Sequence, residues 1–102
     1  MSEAAITIFR SRLRPEAREE YVAWAERIDN LARHMPGFVD IKTFQAADGE
    51  RVSIVEFASD AESLAWARHP EHLEAQRLGR ERFYADFEII VCTPVRRYKF
   101  RR

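Results

Sequence analysis

Residues 38–62, FVDIKTFQAADGERVSIVEFASDAE, hold a strand, a hairpin turn, a second strand and the start of a helix in one unbroken run. Val39, Ile41 and Thr43 alternate with Asp40 and Lys42, the period of two that a half-buried strand shows, and the pattern predicts a strand over 38–46. Ala47-Asp48-Gly49-Glu50 is a hairpin signal, because an Asp-Gly pair tolerates the positive φ of such turns. A strand follows from Arg51 to Phe57. Ser59-Asp60-Ala61-Glu62 then has the form of a capping box: the serine hydroxyl accepts an amide hydrogen bond and the glutamate reaches back, so a helix begins near Asp60.

Working outward, residues 4–13 read as a first strand. Ala5, Thr7, Phe9, Ser11 and Leu13 share one face, while Ile6 and Ile8 lead the other, which turns to Arg10 and Arg12. Pro15 suits a first helical turn, and Glu16, Glu19 and Glu20 favour the positive end of a helix dipole. Ala17, Tyr21, Trp24, Ala25, Ile28, Leu31, Ala32 and Met35 then recur at helical spacing until Pro36-Gly37 stops them. Towards the carboxyl end, His69-Pro70 interrupts the second helix, since proline lacks an amide donor and restricts the residue before it. Residues 71–83 are again compatible with a helix, which predicts two segments and a kink. From about Phe87 the chain is apolar on both sides, with Phe87, Ile89 and Val91 against Ile90 and Cys92, and this predicts the last strand.

The order β-α-β-β-α-β matches a ferredoxin-like α+β sandwich, with both helices on one face of an antiparallel sheet. At 102 residues the chain makes one domain, 1–102. Helices on one face leave the other bare, and a chain this short has no further element to cover it. Two sheets packed face to face would do so, which predicts a homodimer.

Hydrophobic residues make up 46% and charged residues 33%, a composition that excludes disorder and a membrane-spanning protein. No apolar run approaches the roughly 20 residues a spanning helix needs. Met1-Ser2-Glu3-Ala4 lacks a basic segment leading into an apolar one, so the expected location is cytoplasmic. The 17 basic and 17 acidic residues balance. The molecule as a whole therefore has no field to draw nucleic acid or anionic lipid. Arg96, Arg97, Lys99, Arg101 and Arg102 cluster near the carboxyl end without a recognised aromatic-basic RNA signature, and read as a solvated tail or strand edge. Cys92, the single cysteine, lies in an apolar run and reads as a packed thiol.

The histidines His34, His69 and His72 offer no spacing that converges three metal ligands, and the expectation is no metal. His34 suits the negative end of the first helix and His69 the kink. His72 shares a helical face with Gln76, Gly79 and Phe83, where an imidazole could accept a proton from a phenolic substrate near neutral pH. A histidine bonded across the kink is the competing structural reading. Arg80, like Arg10 and Arg12, reads either as an anchor for a carboxylate or phenolate or as half of an ion pair.

The stretches Phe9-Arg10-Ser11-Arg12-Leu13, Pro36-Gly37-Phe38, Asp48-Gly49-Glu50-Arg51 and 57–84 together resemble the antibiotic biosynthesis monooxygenase family of the dimeric α/β-barrel superfamily. The most specific part is Ala65-Trp66-Ala67-Arg68-His69-Pro70-Glu71-His72-Leu73-Glu74-Ala75-Gln76-Arg77-Leu78-Gly79-Arg80. The resemblance implies a homodimer with a pocket in each subunit between sheet and broken helix. It also implies a cofactor-free monooxygenase, an oxidoreductase acting on a small aromatic, polyketide or quinol compound. Haem-degrading members carry an asparagine before an Arg-Leu pair, a tryptophan ending strand three and an axial histidine on helix two. Here Ser11, Phe57 and Gln76 stand at those places, which argues against haem chemistry; His72, one turn before Gln76, would be a shifted ligand lacking the other two residues. In the enzyme reading His72 is the catalytic proton acceptor and Arg80 the anion stabiliser. Phe9, Ser11, Phe57, Trp66, Gln76 and Phe83 surround the substrate. The alternative is a non-catalytic dimeric module that holds a small molecule without consuming it.

Overall fold

The computed structural model describes residues 3–102. A strand β1 (Ala5–Leu13) leads through a 3-10 turn at Pro15–Ala17 into helix α1 (Arg18–Arg33). The hairpin strands β2 (Phe38–Gln45) and β3 (Arg51–Phe57) follow, then the split second helix, α2 (Asp60–Ala67) and α3 (Pro70–Leu78). A single π-helical turn, Gly79–Phe83, delivers the chain into β4 (Tyr84–Cys92). The strands form one antiparallel sheet in the order β2-β3-β1-β4, so the ferredoxin-like α+β architecture is present and the sheet is open at both edges.

Local chemistry accounts for the joints. Gly37 (φ 80°) and Gly49 (φ 93°) occupy left-handed conformations that a side chain resists. The Gly49 amide closes the hairpin turn on the Ala46 carbonyl at 2.9 Å. Ser59 caps α2: its Oγ accepts from the Glu62 amide at 3.2 Å and donates to the Glu62 carboxylate at 2.9 Å, so the glutamate reaches back to the hydroxyl instead of the Ser59 amide. His69 caps α3, its Nδ1 accepting from the Glu71 amide at 3.1 Å while Pro70 fills the first helical position. His34 Nδ1 donates to the Asn30 carbonyl at 2.7 Å, satisfying an orphan acceptor at the end of α1.

Side chains across the sheet fall into rows. The inner rows, facing the helices, are Ile41-Val55-Thr7-Val91, Thr43-Ser53-Phe9-Ile89 and Gln45-Arg51-Ser11-Phe87. Val55, Phe57, Ala32 and Trp66 form one core cluster; Ala17, Leu78 and Phe83 form a second at the other end. Phe57 and Phe83 are fully buried, each contributing about 1.5–3 kcal/mol of apolar transfer. The outer rows, Lys42-Ile54-Ile8-Ile90 and Phe44-Val52-Arg10-Glu88, have no helix over them, and Phe44, Ile54 and Ile90 are exposed.

Three expectations need correction. β4 begins at Tyr84, three positions before the predicted Phe87, because Tyr84 and Asp86 pair with Leu13 and Arg12 across a bulge. Ala85 and Asp86 broke the apolar pattern that marked the strand. Cys92 is exposed rather than packed: it ends the outer row beside Ile6, its Sγ donating to the Ile6 carbonyl at 3.4 Å. α1 stops at Arg33, short of Met35, whose amide reaches back to the Ala32 carbonyl. Beyond β4 the chain has no regular structure, and Arg97 is held by a two-pronged ion pair with Glu56 at 2.9 and 3.2 Å. No helix among the described residues is long and apolar enough to cross a membrane.

Candidate functional site

A cavity of about 290 Å³ lies between the inner rows and the helices. Its floor is built from Thr7, Phe9, Ser53, Val55, Ile89 and Val91. Its walls come from α1 (Tyr21, Trp24, Ile28), α2 (Ser63, Trp66) and α3 (His72, Gln76). Ile89 and Val91 remain 51% and 53% exposed although they face the helices, so the cavity runs out along the edge strand β4.

At one end stands His72. Its ring lies over Trp66 with centroids 4.3 Å apart, and Trp66 in turn packs on Phe57 at 5.5 Å. Nδ1 donates to the Trp66 backbone carbonyl at 3.1 Å, which fixes the neutral tautomer with its lone pair on Nε2. Nε2 has no protein partner among the described residues and is not among the sealed polar atoms. Burial pushes the imidazole below its ordinary pKa of 6.5, the carbonyl bond works against this, and neighbouring His69 lowers it further. The result is an uncharged acceptor bordering an apolar chamber. Gln76, one turn on, donates to the Ala67 carbonyl at 2.9 Å, bracing α3 against the end of α2.

The opposite end is an aromatic box. Tyr84 contacts Phe9 at 5.3 Å, Phe87 at 5.6 Å and Tyr21 at 5.8 Å, centroid to centroid. Gly79 makes room for it, since a Cβ there would stand 2.6 Å from the Tyr84 ring. Burial raises the Tyr84 phenol well above its usual range, the Tyr21 phenol adds to this, and Arg51 pulls the other way. Tyr84 is therefore a neutral hydroxyl at any ordinary pH.

Of the residues expected at a site, the cavity brings together Phe9, Trp66, His72, Gln76, Arg80 and Phe83. It does not include Phe57 or Ser11. Phe57 is sealed between Phe38 and Trp66, and Ser11, 4% exposed, is too short to reach past its neighbours. Arg10 and Arg12 point to the outer face and are engaged by Glu50 at 3.0 Å and Asp48 at 2.8 Å. Sequence reading missed Arg51, Tyr21 and Trp24 as lining residues. Arg51 carried a signal, because it shares the inward parity of Ser53, Val55 and Phe57, and an arginine at a core-facing strand position is an anomaly.

These features define a class, a ferredoxin-like α+β domain with a ligand-sized apolar chamber between its sheet and its helices. Residues 4–78 match the profile of the antibiotic biosynthesis monooxygenase family, and the chain belongs to that family. It is 29% identical over 82 residues to the uncharacterized protein YqjZ of Bacillus subtilis, covering 80% of this chain and 72% of that one. Among solved structures it superposes on Rv0793 of Mycobacterium tuberculosis with a TM-score of 0.83 at 21% identity, over 94% of this chain and 99% of the other. SnoaB of Streptomyces nogalater, a cofactor-independent oxygenase, matches with a TM-score of 0.79 at 16% identity, over 94% and 97%. At those identities the superpositions establish the shared fold.

Proposed function

We propose that this chain is a cofactor-independent monooxygenase acting on a small aromatic, polyketide or quinol compound. The observation that carries the reading is His72: a neutral imidazole, oriented by the Trp66 carbonyl, with Nε2 open to a chamber walled by aromatic rings. An electron-rich phenol bound there gives its proton to Nε2, and the anion formed is the reductant for dioxygen. For a phenol with a free para position the balance is one oxygen atom into the ring as a quinone carbonyl and the other out as water. Arg80, which borders the cavity, takes the role of stabilising the anion as it forms. Membership of the family supports this reading, as does the likeness to a cofactor-independent oxygenase.

The homodimer belongs to the same proposal. The outer row Ile54-Ile8-Ile90 is apolar and without a helix over it, and two such faces packed together would bury it. The test of the enzyme reading is oxygen uptake with a series of hydroxynaphthalenes and quinols. We expect uptake with an accepted substrate and at least a hundredfold loss in His72→Ala. Undiminished uptake in that variant removes His72 from the mechanism, and recovery of every compound unaltered points to a binding module.

A further inference from the structure

The strands carry three arginines, and they are not treated alike. Arg10 and Arg12 face outward and each holds a carboxylate. Arg51 faces inward, half-buried, and no carboxylate among the described residues lies within ion-pair distance of it. Its Nε is sealed without any hydrogen-bond partner. Nη1 makes only a long contact, 3.5 Å, to the Gln45 amide oxygen, and the guanidinium sits 5.3 Å over the Tyr21 ring. Nη2 has no protein partner among the described residues and is not sealed, so this edge of the fork is open where Arg51 borders the cavity. A guanidinium with its Nε sealed and no anion within reach is only partly compensated, and a planar oxyanion at its open nitrogen edge would accept hydrogen bonds from it.

We propose that Arg51 is the specificity-determining residue of this chamber, and that the natural ligand is an elongated aromatic compound bearing a carboxylate. The proposal rests on the reading of the chamber as an aromatic-compound site and names the chemistry of the end that reading left unassigned. Arg51 and Val55 lie four positions apart on β3, about 13 Å along the strand. Val55 belongs to the cluster that carries Trp66, and through it His72, so the anion anchor and the proton acceptor stand at opposite ends of one cavity. A fused-ring compound with its carboxylate at Arg51 presents its far hydroxyl to His72. Phe9, in the row between them, lines the ring system on the way, with Tyr84 and Phe87 packed against it.

The test uses two probes of one shape, 6-hydroxy-2-naphthoate and its neutral carboxamide, with binding followed by calorimetry at pH 7.5. The intact protein is expected to bind the carboxylate at least about tenfold more tightly than the amide. Arg51→Met should erase that preference by bringing the carboxylate down to the level of the amide, Arg51→Lys should retain part of it, and Arg10→Met, on the outer face, should leave it in place. Equal binding of the two probes by the intact protein overturns the Arg51 assignment and spares the aromatic site, and so does a preference that survives Arg51→Met. Failure of both probes to bind overturns the assignment together with the aromatic site on which it rests. Should Arg51→Met not fold, the comparison of probes on the intact protein and on Arg51→Lys decides.

Discussion

The two faces of the sheet are made by the same strands and solve their problems in opposite ways. On the outer face the arginines are answered within the chain: Arg10 by Glu50, Arg12 by Asp48 and Arg97 by Glu56. What is left over at its centre is apolar, the Ile54-Ile8-Ile90 row, with Lys42 at its end. On the inner face the apolar groups of the central strands are answered, by helices over Val55 and Phe57, and what is left over beside the exposed Ile89 and Val91 of the edge strand is polar: an acceptor on His72 and a donor on Arg51. Leftover apolar surface is satisfied by another protein surface. Leftover directional polar groups in an apolar chamber are satisfied by a small molecule with the complementary groups.

The largest expected effect comes from adjacent residues on opposite faces of β3. Phe57→Ala, which empties the centre of the inner cluster, should cost about 3–5 kcal/mol in urea unfolding. Glu56→Ala, one residue away, removes a surface ion pair and should cost no more than about 1 kcal/mol. Comparable losses in the two variants would break the contrast. Next in size, Ile54→Glu should convert the proposed dimer to a folded monomer by light scattering, since a charge in the middle of the outer row cannot be buried against its own copy. A dimer that survives the substitution would place the interface elsewhere.

Much of this contrast was legible in the sequence. The alternation in β1 and β3, the Asp48-Gly49 turn, the Ser59-Glu62 box and the His69-Pro70 break each have a local cause, so each could be read locally. The bare sheet face followed from counting elements. What escaped was set by contacts between distant segments. β4 begins early because Leu13 pairs with Tyr84, and Phe57 leaves the site because Phe38 and Trp66 enclose it. His72 was found from its helical face, but its tautomer depends on a carbonyl six residues away that only the kink brings near. Arg51 was overlooked because its strand begins with it, where a charged residue is unremarkable until its parity is noticed.

The smallest effect is the most direct test, a titration of the His72 imidazole nitrogens by long-range nitrogen-proton correlation NMR. A folded-state pKa below that of the unfolded chain means the proton binds the unfolded state more readily, so His72 stays neutral as pH falls through 6.5 and native stability declines across that window. The account predicts that at pH 7 His72 is neutral, protonated on Nδ1 with Nε2 as acceptor, and that it titrates below 6.5. An imidazolium at pH 7, or a neutral ring carrying its proton on Nε2, would contradict it, because neither presents a lone pair to the chamber.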